Sequence, residues 1–444
     1  MANVLIVDTD NVGLSLAWRC VNAGHSVRWF VKPKPGNNPE TGRGFKGVEK
    51  INNWVSSVKW ADLIFPTSND DYIERLAFFK DRGAPVFAPS PESAKLEIDR
   101  KAGMKLMEKV GIECAPYKTF KSIGDAEKHV RETQERFVFK TLGDNEDKSL
   151  TYVSKSAADM IGWMQRMQKI GNNPKGDVML QTFIKGIEFG VSRWMGSSGW
   201  VGQWNESFEH KKLMSGNFGP NVGESGTIAA FTPESKIGAE TLAKLEKELI
   251  KLGHLGDTAL GFIIDESGKP WPTEWTVRPG WPIFNMMLGS IEGDPAQWMI
   301  DAMQGKDSTT FKEDIGACIV MASGDYPYSN LTRKETAGIP IYGVTKGNKR
   351  HLHPQGVKID VMPDMDGEKL TEHPLWNTSG DYNLVVTGFG NTVKQATTRA
   401  YKTVGQIHIA NALVRDDIGE LLEDQLPKLH KMGYATHFKY EDKS

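Results

Sequence analysis

A chain of 444 residues is longer than one hydrophobic core usually organises, so we expect two to four structural units. Its formal net charge of -2 leaves no excess of positive charge to follow a phosphate backbone, which excludes general nucleic-acid binding. The three cysteines are far apart and show no CxxC spacing, and no apolar run approaches the roughly 20 residues of a membrane span. We therefore expect an unprocessed cytoplasmic protein with no structural zinc site and no membrane segment.

The first 92 residues carry the pattern of a doubly wound sheet. An apolar strand is followed by the turn DTDNVG, an amphipathic helix that ends at Gly24, and a second strand. Further apolar runs begin at Ala61 and Ala84, on either side of a helical stretch over residues 72–82. Strands that alternate with helices predict a parallel sheet, so we assign residues 1–92 to an N-terminal α/β domain.

The turn DTDNVG contains one glycine, Gly13, and two acids, Asp8 and Asp10. Phosphate-binding turns use several glycines, because backbone N–H groups must approach the anion closely at a helix N-terminus. The sequence therefore favours an ordinary strand-to-helix turn capped by Asp10 or Asn11, with a phosphate site as the weaker alternative.

Residues 93–313 alternate between strands and helices in the manner of an α+β body with antiparallel sheets. We place a lid subdomain at about 115–180 within this body. The predicted elements are a helix over 93–110, strands over 117–120, a hairpin over 137–153, strands over 178–209, a helix over 236–252 and strands over 259–276.

Residues 314–444 predict a small C-terminal α+β domain. GACIVMASG and NLVVTGFGNT read as strands, and VKQATTRAYKTVGQIHIANAL reads as one long helix.

The predicted hairpin FVFKTLGDNEDKSLTYV carries two lysines that could bind a polyphosphate. Lys140 ends one strand and Lys148 lies in the polar tip, so both ammonium groups could converge on one anion. Solvated surface lysines are the alternative. In the following run, residues 181–184 could offer backbone groups to an adenine and Glu188 could accept ribose hydroxyls, although a plain hairpin with an exposed glutamate also fits.

The segment PTEWTVRPG would place Glu274, Thr276 and Arg278 on one face of a short strand by its two-residue period. A carboxylate, a hydroxyl and a guanidinium side by side suit Mg²⁺ and phosphate chemistry. A salt-bridged strand is the alternative interpretation.

A cationic cluster precedes a glycine-rich loop in FEHKKLMSGNFGPNVGESG. His210, Lys211 and Lys212 come first, and the glycines after them would let backbone amides surround an anion. A flexible surface loop is the alternative.

The order of these motifs resembles the phosphoribosylamine-glycine ligase family of the ATP-grasp superfamily, enzymes of purine biosynthesis. The resemblance runs from about Ala84 and is carried by VFAPSPESAKLE, VFK, FIKGIEFGVSRW, HKK with GPNVGESG, TEWTVRPGWP, VMASGDYP and VVTGFGNTVKQATTRAY. It implies an ATP-grasp fold with an N-terminal doubly wound domain and a small C-terminal domain. It also implies the use of ATP and Mg²⁺, and an amide formed from glycine or a similar amino acid and phosphoribosylamine through an acyl phosphate.

The resemblance implies roles for individual residues. The ATP phosphates would contact Arg100, Lys140 and Lys148; the adenine would contact Gln181, Thr182, Phe183 and Ile184; and the ribose would contact Glu188. Mg²⁺ would be bound by Glu274 and Thr276. The catalytic set would be Arg278, His210 and Lys211. The substrates would be bound by Glu209, Gly219, Pro220, Asn221, Gly223, Glu224 and Gly280.

Departures from the family pattern fall mainly on the side of the amine acceptor. DTDNVG replaces the glycine-rich loop that serves the substrate phosphate in the family, and PTSNDD adds Asp70 and Asp71. These acids would repel a phosphate dianion if they face the site, so a changed acceptor such as a modified nucleotide or nucleobase is the alternative to phosphoribosylamine. Glu224, at a position that is normally glycine, could add negative charge or hold a substrate ammonium.

Two further departures concern ATP itself. The lid tip is acidic, and Thr276 replaces an asparagine metal ligand, so a non-catalytic ligand-binding relative is a third hypothesis. The sequence leaves open whether the protein is a monomer or a dimer.

Overall fold

The computed structural model of the chain describes residues 1–142, 150–172, 174, 176–324, 326–328 and 336–442. Lys148 and the acidic tip of the lid hairpin lie outside these residues. Within the described ranges, every helix is too short or too polar to cross a bilayer.

The N-terminal sheet is parallel, with strand order β3-β2-β1-β4. Its elements are β1 Asn3–Asp8, α1 Leu14–Asn22, β2 Ser26–Val31, β3 Val48–Ile51, β4 Leu63–Pro66 and α2 Ile73–Lys80. The residues of β1 from Val4 to Val7 are fully buried, as expected for a parallel strand covered on both faces. The predicted parallel sheet is confirmed. The run at Ala84 contributes a single parallel bridge, Ile64 to Val86, and does not form a strand.

The helix predicted over residues 93–110 is two helices, α3 Pro91–Ile98 and α4 Arg100–Lys109. Asp99 has an extended backbone between them, and its carboxylate accepts the N–H groups of Lys101 and Ala102. The sequence pattern did not predict this break, because the apolar residues of both helices keep a helical spacing. It makes Arg100 the first residue of α4.

The segment predicted as a lid contains an antiparallel sheet of order β5-β8-β6-β7. Its elements are β5 Tyr117–Phe120, α5 Ile123–Thr133, β6 Phe137–Thr141, β7 Tyr152–Val153, α6 Ala157–Lys169 and β8 Val178–Thr182. Phe139 packs in one core with Met160 and Met164 of α6, which holds the helix on the sheet. Antiparallel pairing of β6 with β7 confirms the predicted hairpin.

A large antiparallel sheet forms the centre of the protein. Its first part and the elements around it are β9 Gly186–Gly196, β10 Gly199–Glu209, β11 Lys212–Met214, β12 Phe218–Asn221, β13 Gly226–Thr232, α7 Lys236–Glu240, α8 Glu246–Lys251, β14 Gly256–Asp265, β15 Pro270–Thr276, α9 Ile283–Ser290 and α10 Gln297–Met303. The helix predicted over 236–252 is therefore two short helices, with a 3₁₀ turn over Leu242–Leu245 between them.

The C-terminal segment completes this sheet. Its elements are β16 Ile315–Ser323, β17 Ala337–Tyr342, β18 Leu352–Pro354, β19 Val357–Asp366, β20 Lys369–Ser379, β21 Tyr382–Gly390, α11 Val393–Val404, β22 His408–Ile409, β23 Ala412–Val414 and α12 Leu422–Lys431. The large sheet has the strand order β15-β14-β9-β10-β13-β16-β21-β18 and therefore runs through the proposed 313/314 boundary, whereas β19-β20-β17-β22 form a separate sheet. The helix predicted to reach residue 413 ends at Val404, and the rest forms β22 and β23.

The two faces of the large sheet are covered by different parts of the chain. Cys318 and Val320 of β16 pack in one core with α1, α9 and α10, whereas Ala317 and Ile319 pack with α11 and α12 on the other face. This alternation follows the two-residue period of a strand. The N-terminal sheet is thereby fixed on one side of the large sheet.

Candidate active site

The ammonium group of Lys211 lies among three carboxylates. Its Nζ is 2.6 Å from Oε1 of Glu274, 2.7 Å from Oε1 of Glu188 and 3.5 Å from Oε2 of Glu209. The acids come from β15, β9 and β10, which lie on the same half of the large sheet. The positive charge of Lys211 lowers the pKa of Glu274 to about 2. Burial alone would lower the pKa of Lys211, but the three carboxylates outweigh it and raise that pKa well above its usual value.

A pair of cations, Arg100 and Lys140, lies beside this cluster. Arg100, Lys140 and Gln181 line one cavity together with Glu274. The Nζ of Lys140 donates to the carbonyl of Thr273 at 3.0 Å. Burial, and then the charge of Arg100, lower the pKa of Lys140 to about 7. A buried lysine next to another cation gains most from a bound anion, so this cavity suits a polyphosphate.

The residues predicted to meet the adenine join the lid sheet to the large sheet. Gln181 and Thr182 end β8, and the Gln181 side chain donates to the carbonyl of Ala115 at 3.5 Å. The ring of Phe183 lies 3.3 Å from the guanidinium carbon of Arg136. Ile184 follows in the connector to β9.

Arg278 lies in the loop after β15 and forms an ion pair with Glu97 of α3. Its Nε is 3.4 Å from Oε1 of Glu97. The other oxygen of Glu97 accepts the backbone N–H of Val277 and the side-chain amide of Asn69, both at 2.9 Å. Glu97 was not predicted as a site residue, because the backbone N–H that it accepts is about 180 positions away.

The strand predicted for Glu274, Thr276 and Arg278 ends at Thr276, so Arg278 lies outside it. The alternation nevertheless continues, because Trp275 and Val277 are buried while the three predicted residues are not. Gly280 follows, and its backbone N–H bonds to the buried Asp257, whose pKa burial raises to about 7.

The turn after β1 is closed by Asp8. Its carboxylate accepts the N–H groups of Gly13 at 2.7 Å and Val12 at 3.3 Å, the hydroxyl of Thr67 at 2.9 Å and the indole N–H of Trp29 at 3.0 Å. The prediction that Asp10 or Asn11 caps α1 is therefore wrong. Asp8 is the last residue of the buried strand β1 and its side chain points inward. Its carboxylate, rather than that of Asp10, therefore accepts the N–H groups that precede α1.

The glycine-rich loop is an ordered hairpin of β11 with β12, which carries Gly219, Pro220 and Asn221. Arg415 holds it from the C-terminal segment by donating to the carbonyl of Lys212 at 3.0 Å and to Oδ1 of Asn217 at 2.8 Å.

His210 faces the same C-terminal segment. Its Nε2 accepts the N–H of Gly419 at 3.2 Å, and burial lowers the pKa of the imidazole to about 4. The ring is therefore neutral and bonded to the C-terminal segment, and no hydrogen bond among the described residues joins it to Arg278.

Gly223 and Glu224 connect the hairpin to β13. Gly223 has a φ of 78°, which glycine adopts without strain. The side chain of Glu224 is buried, with 7% of the residue exposed, and burial raises its pKa well above the usual value. Its Oε1 has no hydrogen-bond partner among the described residues.

Two family models match the chain. The phosphoribosylglycinamide synthetase ATP-grasp (A) domain matches residues 99–254, and the phosphoribosylglycinamide synthetase C domain matches residues 316–421. Together they cover more than half of the chain and include the lid strands, Lys211 with Glu188 and Glu209, and the C-terminal strands of the large sheet, whereas Glu274 lies between the two matched ranges.

Curated proteins and solved structures give the same result. The phosphoribosylamine-glycine ligase of Streptococcus pneumoniae is 26% identical over 442 residues, which cover 94% of this chain and 98% of that protein. The enzyme of the same name from Ralstonia nicotianae is 26% identical over 356 residues, covering 77% of this chain and 79% of that protein.

Among solved structures, the phosphoribosylamine-glycine ligase of Thermotoga maritima matches with a TM-score of 0.68 at 20% identity, covering 94% of this chain and 100% of that one. The N5-carboxyaminoimidazole ribonucleotide synthetase of Thermotoga maritima matches with a TM-score of 0.57 at 15% identity, covering 92% of this chain and 99% of that one. These likenesses show the ATP-grasp fold. With the Lys211 cluster, the neighbouring cations Arg100 and Lys140 and the two family models, they lead to one conclusion: the chain belongs to the phosphoribosylamine-glycine ligase family of the ATP-grasp superfamily, and it is an ATP-dependent ligase that forms a carbon–nitrogen bond.

Proposed function

We propose that this ligase activates the carboxylate of glycine or a similar small amino acid with ATP and joins it to phosphoribosylamine or a related amine. The convergence of Glu188, Glu209 and Glu274 on the single cation Lys211, beside Arg100 and Lys140, is the observation that carries the proposal. Such an arrangement can neutralise the negative charge of a triphosphate. Stabilising that charge is the main contribution of a protein to phosphoryl transfer.

Some of the same residues are candidates for binding Mg²⁺. No group of three or more His, Cys, Asp or Glu side chains suited to a metal ion is found in the described ranges. The Lys211 ammonium, however, lies among carboxylate oxygens, so a cation is favoured at this position. Mg²⁺ needs only one or two protein carboxylates when phosphate oxygens and waters supply its other ligands. We propose Glu274, with Thr276 beside it, as the holders. Bound there, Mg²⁺ would neutralise charge on the triphosphate.

The proposed reaction has two steps. The amino-acid carboxylate attacks the γ-phosphorus of ATP, ADP leaves, and an acyl phosphate forms. Arg278 is the candidate for holding the carboxylate and the transferred phosphoryl group, because it lies between the Glu274 strand and the adjoining cavity. Glu224 lines that cavity and is the candidate for the amino group. The amine then attacks the acyl carbon and inorganic phosphate leaves.

Trapping of the acyl phosphate tests the proposal without any assumption about the amine. Protein incubated with ATP, Mg²⁺, glycine and hydroxylamine should release ADP and glycine hydroxamate in equal amounts, measured by mass spectrometry. Glu274→Gln should lower this rate by about 100-fold, the usual effect of removing one group that stabilises developing charge. Glu266→Gln, an exposed acid paired with Lys185, is the matched control and should not change it. Folded wild-type protein that forms neither product would refute the proposal.

The amine is tested separately. Freshly made phosphoribosylamine, the amine in the name of the relatives, should yield glycinamide ribonucleotide if the parent acceptor is retained. A changed acceptor is the second candidate, and one observation favours it: the N–H groups of Val12 and Gly13, immediately before α1, are already bonded to Asp8.

We also propose that the protein works in a reducing cytoplasm, since Cys20, Cys114 and Cys318 are free thiols and two of them are buried.

A further inference from the structure

The cavity beside Arg278 is lined by two residues whose polar atoms lack a partner. It has a volume of about 570 Å³ and lies between the N-terminal domain, the loop of Arg278 and the C-terminal segment. Glu224 and Tyr382 both line it. The Oε1 atom of Glu224 and the hydroxyl oxygen of Tyr382 are buried and have no hydrogen-bond partner among the described residues. Buried polar groups are almost always paired, so these two atoms point to a ligand.

Glu224 is held against the central strand β16 by its neighbour in the chain. The N–H of Ser225 donates to the carbonyl of His210 at 2.8 Å, and the carbonyl of Ser225 accepts the N–H of Val320 in β16 at 3.0 Å. Only 7% of Glu224 is exposed. A carboxylate buried to this extent is costly unless a hydrogen-bond donor reaches it.

Tyr382 is fixed to the other side of β16. It is the first residue of β21, pairs with Ala322 of β16, and accepts the N–H of Gly356 at 2.9 Å. Its ring centroid lies 6.0 Å from that of Tyr326, whose hydroxyl donates to the carbonyl of Val222 at 3.4 Å. The neighbouring tyrosine is therefore tied to the loop that carries Glu224, so the two unpartnered atoms are held by one connected framework.

The chemistry of the two groups limits what the ligand can be. An ionised carboxylate only accepts hydrogen bonds, whereas a hydroxyl can donate or accept. Burial raises the pKa of Tyr382 well above its usual value, so the hydroxyl keeps its proton. A group that contacts both residues must therefore donate to Glu224, and a phosphate or a carboxylate does not. An ammonium group has three N–H donors and its charge favours the ionised form of Glu224, so it suits both contacts.

The position of Arg278 favours the amino acid as the source of this ammonium. Burial raises the pKa of Glu224, and the charge of Arg278 acts against that rise, so the two side chains are close enough to interact. Arg278 is the proposed contact of the amino-acid carboxylate. In glycine one carbon separates the carboxylate from the nitrogen, so an amino acid bound at Arg278 would have its ammonium in the same part of the cavity.

We infer that Tyr382 is a second contact for the ammonium of the amino-acid substrate, and that its hydroxyl and Glu224 together select carboxylates that carry a free α-ammonium group. The inference rests on the proposed function, which assigns Glu224 to that amino group. It makes a residue of the C-terminal segment part of the amino-acid site.

The first experiment measures glycine binding without turnover. Calorimetry with Mg²⁺ and a non-hydrolysable ATP analogue should show a Kd for glycine about ten-fold higher in Tyr382→Phe, the effect of losing one hydrogen bond to a charged group. The Kd of the ATP analogue should not change. Tyr342→Phe is the matched control, because its hydroxyl contacts the carbonyl of Pro363 outside this cavity, and it should change neither constant. An unchanged Kd for glycine in folded Tyr382→Phe would overturn the inference.

The second experiment compares carboxylates in the hydroxylamine assay. Wild-type protein should prefer glycine to acetate, which lacks the ammonium, by at least about 100-fold in kcat/KM, the combined effect of two charge-assisted contacts. Tyr382→Phe should reduce this preference about ten-fold by weakening the use of glycine and not of acetate. Equal use of glycine, N-acetylglycine and acetate by the wild type would overturn the inference even if the variant did not fold.

A double-mutant cycle tests whether both residues hold the same nitrogen. Glu224→Gln and Tyr382→Phe combined should lower kcat/KM for glycine by less than the product of the two single effects, because contacts to one shared group are not independent. Fold-changes that multiply would assign the Tyr382 hydroxyl to another part of the substrates and would refute the shared contact.

The binding and hydroxylamine assays separate two kinds of failure. A protein that forms glycine hydroxamate equally well with and without the Tyr382 hydroxyl retains the proposed function and refutes this inference. A protein that binds glycine through Tyr382 but forms no hydroxamate retains the inferred contact and refutes the chemistry of the proposed function.

Discussion

The carboxylate of Asp8 accepts the backbone N–H of Gly13, with Oδ2 2.7 Å from the nitrogen. Val12, Thr67 and Trp29 donate to the same carboxylate. An anion of the chain itself therefore occupies the start of α1, where the helix dipole and unpaired N–H groups favour negative charge.

Asp8→Ala should destabilise the protein by about 2–4 kcal/mol, because several buried donors lose their acceptor at once. Burial raises the pKa of Asp8 despite these bonds, so relief of a buried charge offsets part of the loss. Urea unfolding followed by circular dichroism measures the free energy. Asp62→Ala, which removes an exposed acceptor for the N–H of Asn3, is the control and should cost less than about 1 kcal/mol. Equal losses for both variants would contradict the role given to Asp8.

ATP binding should take up protons near pH 8 through Lys140. Burial and Arg100 lower the pKa of Lys140 to about 7, and bound phosphates would favour the charged ammonium and raise that pKa again. Uptake should approach about one proton per ATP at pH 8, following proton linkage. Titration calorimetry in buffers of different ionisation enthalpy measures it. Lys140→Arg, which stays charged, should abolish the uptake, and a binding enthalpy independent of buffer in the wild type would contradict the prediction.

The pKa of Lys140 also determines how the free energy of unfolding changes with pH in the absence of ATP. The pKa of Lys140 is about 7 in the folded chain against 10.5 for the free side chain, so the unfolded state binds more protons between these values. The free energy of unfolding should therefore rise with pH across this window, and Lys140→Met should remove that rise.

Arg415→Met should weaken amino-acid binding through the β11–β12 hairpin. Arg415 is buried, forms an ion pair with Asp417 and holds both Lys212 and Asn217. Its loss frees the hairpin and leaves Asp417 unpaired, so we expect a higher KM for glycine with little change in the KM for ATP, and a stability loss of about 3–5 kcal/mol. Initial rates in the hydroxamate assay measure both constants. Arg131→Met on the lid surface should change neither, and a rise confined to the KM for ATP would argue against the hairpin role.

Much of the fold could be predicted because its signals are local. The apolar runs, the hairpin around Lys140 and the helix over residues 73–80 follow from hydrophobic period and turn residues alone. The failures have a different origin. The break at Asp99 and the end of α11 at Val404 depend on which backbone groups a side chain or a neighbouring strand satisfies, and the period does not report this.

The site was predicted only in part, because its geometry depends on contacts distant in sequence. Glu188, Glu209 and Glu274 were given three separate roles, and the structure brings them to one ammonium group through the pairing of distant strands. Asp8 was not distinguished from Asp10, because composition does not show which acid of a turn points inward. Glu97 was missed because its partners Val277 and Arg278 are distant in the sequence.

The pairing of β13 with β16 has a consequence for motion. A rotation of the C-terminal segment away from the ATP-binding half would have to break a ladder of backbone hydrogen bonds in the middle of a sheet. The described lid strands pair only with one another, and the connector at residues 183–185 lies between them and β9. We therefore expect ATP to enter and ADP to leave by movement of the lid, while the walls that receive the amine keep their shape throughout the reaction cycle.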